Sequence, residues 1–329
     1  MIEPLYAPLH SPTGSALWIY FSHDGSRLFG GGTGPFVWIW DVAQQALVDQ
    51  IDTGARNVLH ASLHPARDWL VGNCGDHLRV WDMAALDEIQ RMAQPSYLTG
   101  SVSCGYDTVA CALHPESEDE NSRLQVFDLA SGQARGAPHP IESRAHGVAI
   151  APDGRFVGAI HRTGTGVWNA AWEQVLHFPG LYDHGGAGQA AITFTRDGWQ
   201  VWVTYRGGPH LRTWDLSADP PRLLLETSLG GPAFRMALSP DECVLAVSLY
   251  REIVLIDTAT YAILARWPVP ENLRPTGPLN KVVFSPDGWL LATVCESRFR
   301  EDDGTLRPIG GIALWPVPGV DVDGDAALG

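Results

Sequence analysis

Residues 282–294 read V-V-F-S-P-D-G-W-L-L-A-T-V. Two short apolar runs flank Ser285-Pro286-Asp287-Gly288, in which the proline presets φ for the second turn position, Asp287 bonds its own backbone and Gly288 closes without steric cost. The stretch therefore predicts a β-hairpin. Related pieces stand at 21–30, 150–158, 194–203 and 238–247, with weaker copies at 63–72 and 102–111. Their aligned turn positions, 24, 66, 105, 153, 197, 241 and 287, lie 42, 39, 48, 44, 44 and 46 residues apart.

Each unit continues in the same way. An apolar third strand ends in Trp40-Asp41, Trp81-Asp82, Phe127-Asp128, Trp168-Asn169, Trp214-Asp215, Ile256-Asp257 or Trp315-Pro316, and a fourth strand such as 46–51 follows. Four short strands recurring every ~40–45 residues are the period of a propeller blade. A helical repeat would show 3.6-residue apolar spacing along the unit, which this chain lacks, and a parallel sheet would need crossover helices. The expected fold class is all-β: a seven-bladed β-propeller of four-stranded antiparallel sheets, one domain over residues 1–319.

At these residues the chain resembles the WD-repeat family, as a divergent member. The match covers about residues 3–318 and is carried by the turn, the apolar third strand and the Trp-Asp pairs at 40–41, 81–82 and 214–215. The family's Gly-His pair ahead of each hairpin is absent, and only Asp76 matches the aspartate that usually sits five residues before the Trp. The blades are therefore expected to hold together chiefly by Trp and aliphatic packing. The resemblance also implies how the ring closes, since an open ring leaves two unpaired sheet edges and family members complete the last blade with a strand from the other terminus. Residues 3–9 are placed for that role, with Tyr6 beside the strand holding Ala313 and Leu314. The two prolines of Trp315-Pro316-Val317-Pro318 suit a strand end.

Composition narrows the partners. Twenty-two basic against 37 acidic residues give a net charge of −15, which argues against non-specific nucleic-acid binding and against docking on anionic lipid. No apolar run approaches the ~18 residues of a membrane helix, and Met1-Ile2-Glu3-Pro4 lacks the pattern of a signal peptide. A cytoplasmic monomer is expected. The five cysteines, Cys74, Cys104, Cys111, Cys243 and Cys295, are odd in number and form no C-x-x-C pair, so they read as small buried hydrophobes and not as a disulfide framework. Residues 320–329 carry Asp321, Asp323 and Asp325 but neither the glycine nor the glutamate of a calcium loop, and read as a disordered acidic tail.

Enzyme motifs are missing: there is no H-E-x-x-H, no G-x-S-x-G and no P-loop, and no cofactor or metal is expected. Gly30-Gly31-Gly32-Thr33-Gly34 reads as a tight connection between second and third strands. In a propeller, recognition concentrates on loops and the channel mouth. Alignment of the innermost strands places Trp18, Asn57, His60, Arg144, His146, Phe234, Arg235, Asn280 and Lys281 at one mouth. Cations and histidines gathered there, in an acidic chain, form a positive focus for an anionic peptide or small acid.

Two connections between second and third strands are long. From turn residue to Trp equivalent the count is 22 in the third repeat and 28 in the seventh, against 16, 15, 17 and 15 in the first, fourth, fifth and sixth. The excess falls at 116–123, with Glu118, Asp119 and Glu120, and at 297–310, with Arg298, Phe299 and Arg300. The resemblance implies that this face binds partners. The reading is a non-catalytic interaction module for a protein or peptide, with Trp18, Phe234 and Arg235 as anchors. The alternative is a lactonase-like or dehydrogenase-like propeller enzyme acting on a small anionic substrate in the channel. His60 or His146 would then serve as acid–base, and Arg235 or Lys281 would hold the substrate.

Overall fold

The structure, a computed structural model, describes residues 3–75, 77–93, 98–114, 121–179, 191–204, 211–271, 281–300 and 306–317; at 93, 98–99, 295–300 and 306–310 it describes the backbone alone. Asp76, Asn280, the acidic stretch at 118–120 and the tail at 320–329 lie outside the described residues.

Seven antiparallel sheets follow one another along the chain, each built from consecutive strands. The first blade is β1 (Ser15–Phe21), β2 (Arg27–Thr33), β3 (Phe36–Asp41) and β4 (Ala46–Asp52), and the second β5 (Ala61–Leu63), β6 (Trp69–Asn73), β7 (His77–Asp82) and β8 (Asp87–Ala93). The third is β9 (Leu98–Cys104), β10 (Thr108–His114), β11 (Arg123–Asp128) and a nick of an outer strand, β12 (His139–Pro140). The fourth is β13 (Ala145–Ile150), β14 (Phe156–His161), β15 (Gly164–Asn169) and β16 (Gln174–Pro179). The fifth is β17 (Ala191–Phe194), β18 (Gln200–Thr204), β19 (Leu211–Asp215) and β20 (Arg222–Thr227), and the sixth β21 (Ala233–Leu238), β22 (Val244–Leu249), β23 (Glu252–Asp257) and β24 (Ile263–Pro268). The seventh is β25 (Lys281–Phe284), β26 (Leu290–Arg300) and β27 (Leu306–Pro316).

The turn between first and second strands uses the chemistry its sequence advertises. In Ser285-Pro286-Asp287-Gly288 the Ser285 hydroxyl donates to Asp287 Oδ1 at 2.5 Å, Asp287 Oδ1 accepts from Trp289 N, and Ser285 Oγ accepts from Leu290 N. The same triad recurs with Ser22 and Asp24, Thr195 and Asp197, and Ser239 and Asp241. A second set of carboxylates caps the turn from third to fourth strand. Asp41 accepts from Gln44 N, Asp82 from Ala85 N and Asp215 from Ser217 N. The aspartate of each Trp-Asp pair is thus a turn former, while the tryptophan beside it fills the blade.

The core is a ring of seven apolar clusters, each drawn from two adjacent blades. Tryptophans dominate it: Trp38, Trp40, Trp81, Trp202 and Trp315 are among the largest fully buried side chains. Small residues on the second strand make room for them. A Cβ at Gly30 would lie 2.8 Å from Trp40 Cζ3, one at Gly72 2.7 Å from Trp81 Cζ3, and one at Gly31 2.4 Å from the Trp18 indole. Gly30, Gly31 and Gly32 lie within β2, not in the connection expected from their sequence; indoles occupy the space side chains would need at the first two, and the backbone of Ser15 and Leu17 at the third. Cys74, Cys104 and Cys111 are buried as expected, but Cys243, in a turn between first and second strands, is exposed.

The seventh cluster closes the ring. It joins Ala292, Val294, Ile312 and Leu314 of the last blade to Ile19, Leu28 and Trp40 of the first, with Tyr6 and Leu9 packed against it. Leu5 N donates to Leu314 O at 2.8 Å, and Leu9 and Ile312 exchange both backbone bonds at 2.9 and 2.8 Å. The N-terminal strap thus supplies the fourth strand of the seventh blade, with Leu5, one residue before Tyr6, opposite Leu314.

Candidate functional site

All seven innermost strands start on one face, here called upper, and run down a common axis. Antiparallel pairing returns the connections between second and third strands to that same face. Between the innermost strands lies a channel of about 640 Å³. Its lower end is ringed by turn residues, among them Pro65, Tyr106, Pro152 and Pro240, and its upper part by His60, His146, Arg235 and Lys281.

The wall is fixed by polar bonds across the blade seams. Lys281 Nζ donates to Tyr20 Oη at 2.9 Å, and Tyr20 Oη donates to Ala61 O at 3.0 Å, linking the seventh, first and second blades. Ser62 Oγ accepts from Cys104 N at 3.0 Å, Ser101 Oγ from Val148 N at 3.2 Å and Ser103 Oγ from Ile150 N at 3.1 Å. These channel hydroxyls are engaged in joining blades. Burial pushes the Cys104 thiol up to about 12, so it is not a thiolate at neutral pH.

The charge in the channel is one-sided. Glu242 is the single carboxylate among the described residues lining it, and it sits at the lower end accepting from Arg196 N at 2.5 Å. Burial lowers Arg235 to about 10, still a cation at neutrality. His60 is pushed down to about 4, first by its deep setting and then by the nearby charges of Arg235 and Lys281. His60 lines the lumen. His146 is lowered by burial and by Arg144 and Arg162. Near pH 7 the upper channel therefore holds two fixed cations flanked by neutral imidazoles.

Five of the nine residues expected at the mouth line the channel together: Trp18, His60, His146, Arg235 and Lys281. Arg144 is exposed on the upper face beside them. Asn57 is half-buried and its side chain accepts from Gly34 N at 3.0 Å. Phe234, expected as an aromatic anchor, is corrected: it is 3% exposed and does not line the channel, while Trp18 lines it with only 4% of its surface exposed. Trp18 Nε1 donates to Val58 O at 2.6 Å, into the seam between the first two blades.

The physical reason is a bulge. Three innermost strands carry one extra residue near their start, at Leu17, His146 and Phe234. An inserted residue breaks the alternation of lumen-facing side chains, and in β21 it leaves Phe234 buried with Arg235, the next residue, lining the channel. The long connection of the seventh repeat is likewise corrected: Arg298, Phe299 and Arg300 belong to β26, in register with β27 for eleven pairs.

Among the described residues no group of three or more His, Cys, Asp or Glu side chains able to hold a metal ion occurs, and no helix is long and apolar enough to cross a membrane. No protein-family model matches the chain. The protein named LST8 homolog of Drosophila melanogaster is 25% identical over 125 residues, 36% of this chain and 37% of that protein; the match spans about a third of that relative's length. Among solved structures, the Cps50 (Swd1) β-propeller domain of Myceliophteria thermophila has a TM-score of 0.68 over 96% of this chain and 100% of that domain, at 14% identity. The chain is thus an all-β, seven-bladed propeller that resembles the WD-repeat family as a divergent member.

Proposed function

We propose that the protein is a non-catalytic interaction module that binds an acidic protein or peptide segment at the upper channel mouth. The observation that carries this is the charge of the channel: Arg235 and Lys281, with His60 and His146, line its upper part, and the only carboxylate among the described lining residues sits at the far end. In a chain of net charge −15 such a focus steers and orients an anionic partner. The WD-repeat resemblance supports a protein as that partner. Binding without chemistry is favoured over the enzyme reading because the described lining of the upper channel includes no carboxylate to orient the two histidines, its serines are spent on seams, and its cysteine is protonated.

The test is binding of a hexaglutamate peptide to the full chain, followed by fluorescence anisotropy, alongside capture of partners from host extract. Wild type is expected to bind with an affinity that falls as salt rises, and Arg235→Glu/Lys281→Glu to lose both the peptide and the partners. Equal recovery by wild type and variant removes the mouth as the site.

A further inference from the structure

Two strands of the last blade outrun the third. β26 and β27 remain in register from Leu290–Pro316 to Arg300–Leu306, whereas β25 pairs only as far as Lys281 opposite Val294. The pairs from Cys295–Gly311 to Arg300–Leu306 form a two-stranded ribbon on the upper face. Six residues at about 3.4 Å each carry it ~20 Å beyond the blade.

The two edges of this ribbon are unlike. In an antiparallel ladder the N–H and C=O of one residue point to the same side, and the side alternates along the strand. Ile312 spends both groups on Leu9, so Gly310, Pro308 and Leu306 also turn theirs outward. Pro308 has no N–H to offer there, and that edge is guarded against strand addition.

On the other strand, Ser285 N donates to Leu290 O at 2.8 Å. By the same alternation Ala292 and Val294 face β25, and past its end Glu296, Arg298 and Arg300 face the line that β25 would have continued. None is proline, and no described residue pairs with them. This edge, unpaired among the described residues, stands above Lys281, the first residue of β25 and part of the channel wall.

We infer that the inner edge of β26 at 296–300 receives an extended acidic segment of a partner protein by strand addition. The segment takes up the line of β25 and brings its carboxylates to Lys281 and Arg235. Backbone bonds to the edge supply affinity, and the cations of the mouth select for acid. The inference rests on reading the mouth as the anion site, and adds to it the conformation of the ligand.

The probe is a labelled ten-residue peptide of alternating Thr and Glu, titrated into the full chain. Arg298 forms a non-bonded pair with Pro308 across the ribbon, so Arg298→Pro removes an edge N–H without removing a ribbon bond. Arg298→Pro is expected to weaken binding about tenfold or more relative to Arg298→Ala, and the Thr/Lys counterpart of the peptide not to bind. A second measurement leaves the protein untouched. Of two peptides N-methylated on alternate residues, one is expected to bind like the parent and the other to fail, because strand addition uses one set of amides. Equal binding by Arg298→Pro and Arg298→Ala, with both methylated peptides alike, overturns strand addition; if Arg235→Glu/Lys281→Glu still abolishes binding, the anion site survives that failure. Binding unaffected by the double variant, or absent from wild type, overturns both.

Discussion

Lys281 Nζ donates to Tyr20 Oη at 2.9 Å across the seam between the last blade and the first, and sits 4.5 Å from the centre of the Tyr20 ring. The same hydroxyl donates onward to Ala61 O in the second blade. One phenol therefore ties three blades at the point where the ring closes, and holds a cation of the channel wall in place.

Tyr20→Phe keeps the ring and its contact with Lys281 but removes both hydrogen bonds and leaves Ala61 O short of a donor. With each bond contributing about 1 kcal/mol, the variant is expected to lose ~1–2 kcal/mol of unfolding free energy in urea. It is also expected to weaken hexaglutamate binding, because Lys281 is no longer positioned. Unchanged stability and affinity would show that the seam does not depend on this phenol.

The tryptophan–glycine fit makes a sharper demand. A Cβ at Gly72 would meet Trp81 Cζ3 at 2.7 Å and Val58 Cγ1 at 3.0 Å, whereas one at Gly54 meets nothing within 4 Å. Gly72→Val forces an indole out of its place between the first two blades and is expected to cost about 1–3 kcal/mol, the usual range for overpacking a core. Urea unfolding of this variant beside Gly30→Val, which meets Trp40, tests whether the two blades share the device.

Acid should loosen the fold in a window set by histidines. His114 is pushed down to about 4 by burial and by Arg144, His60 and His146, and donates or accepts at Ser122 Oγ at 2.8 Å. His161 is lowered by burial first, with His177 and His146 adding to the effect. These rings are neutral in the fold and take up protons more readily when unfolded. Their contribution to stability is complete above the unfolded value of about 6.5 and is lost as pH falls below it, for His114 down to about 4. Asp24 and Asp241 are lowered from 3.8 by their turn hydrogen bonds, so their contribution fades only below that window. The urea midpoint is expected to drop between about pH 7 and pH 5, and His114→Gln to flatten the drop; an equal slope in the variant would assign it elsewhere.

Much of the architecture is written in short-range chemistry. The Ser-Pro-Asp-Gly turn and the aspartate that ends most third strands each act within a few residues, so blade count could be read from the letters, while closure by residues 3–9 followed from the family resemblance. The channel wall was half legible: Trp18, His60, His146, Arg235 and Lys281 lie where the alignment put them. Phe234 was misread because one bulged residue near the start of β21 decides which neighbour faces the lumen, and nothing in A-F-R marks which residue is the extra one. Pairing of 295–300 with 306–311 was hidden for a different reason. Its charged and proline-bearing sequence has loop composition, and only its continuity with the blade makes it a ribbon.

The turns from third to fourth strand hold a last, separable prediction. Gln45, Leu86, Trp172 and Tyr261 all have φ between 54° and 62°, while the third blade places Gly132, at φ 70°, in the same kind of turn. A side chain in this region costs roughly 1–2 kcal/mol, against which glycine adds unfolded-state freedom of about 0.5–1 kcal/mol. Gln45→Gly relieves the strain without removing an apolar contact and is expected to raise stability by up to ~1 kcal/mol. At Trp172 the balance reverses, because its ring stacks on His139 with centroids 4.6 Å apart and planes parallel; Trp172→Gly is expected to destabilise despite the same backbone relief. If urea unfolding showed both variants moving in one direction, the strain at these turns would not be what divides them.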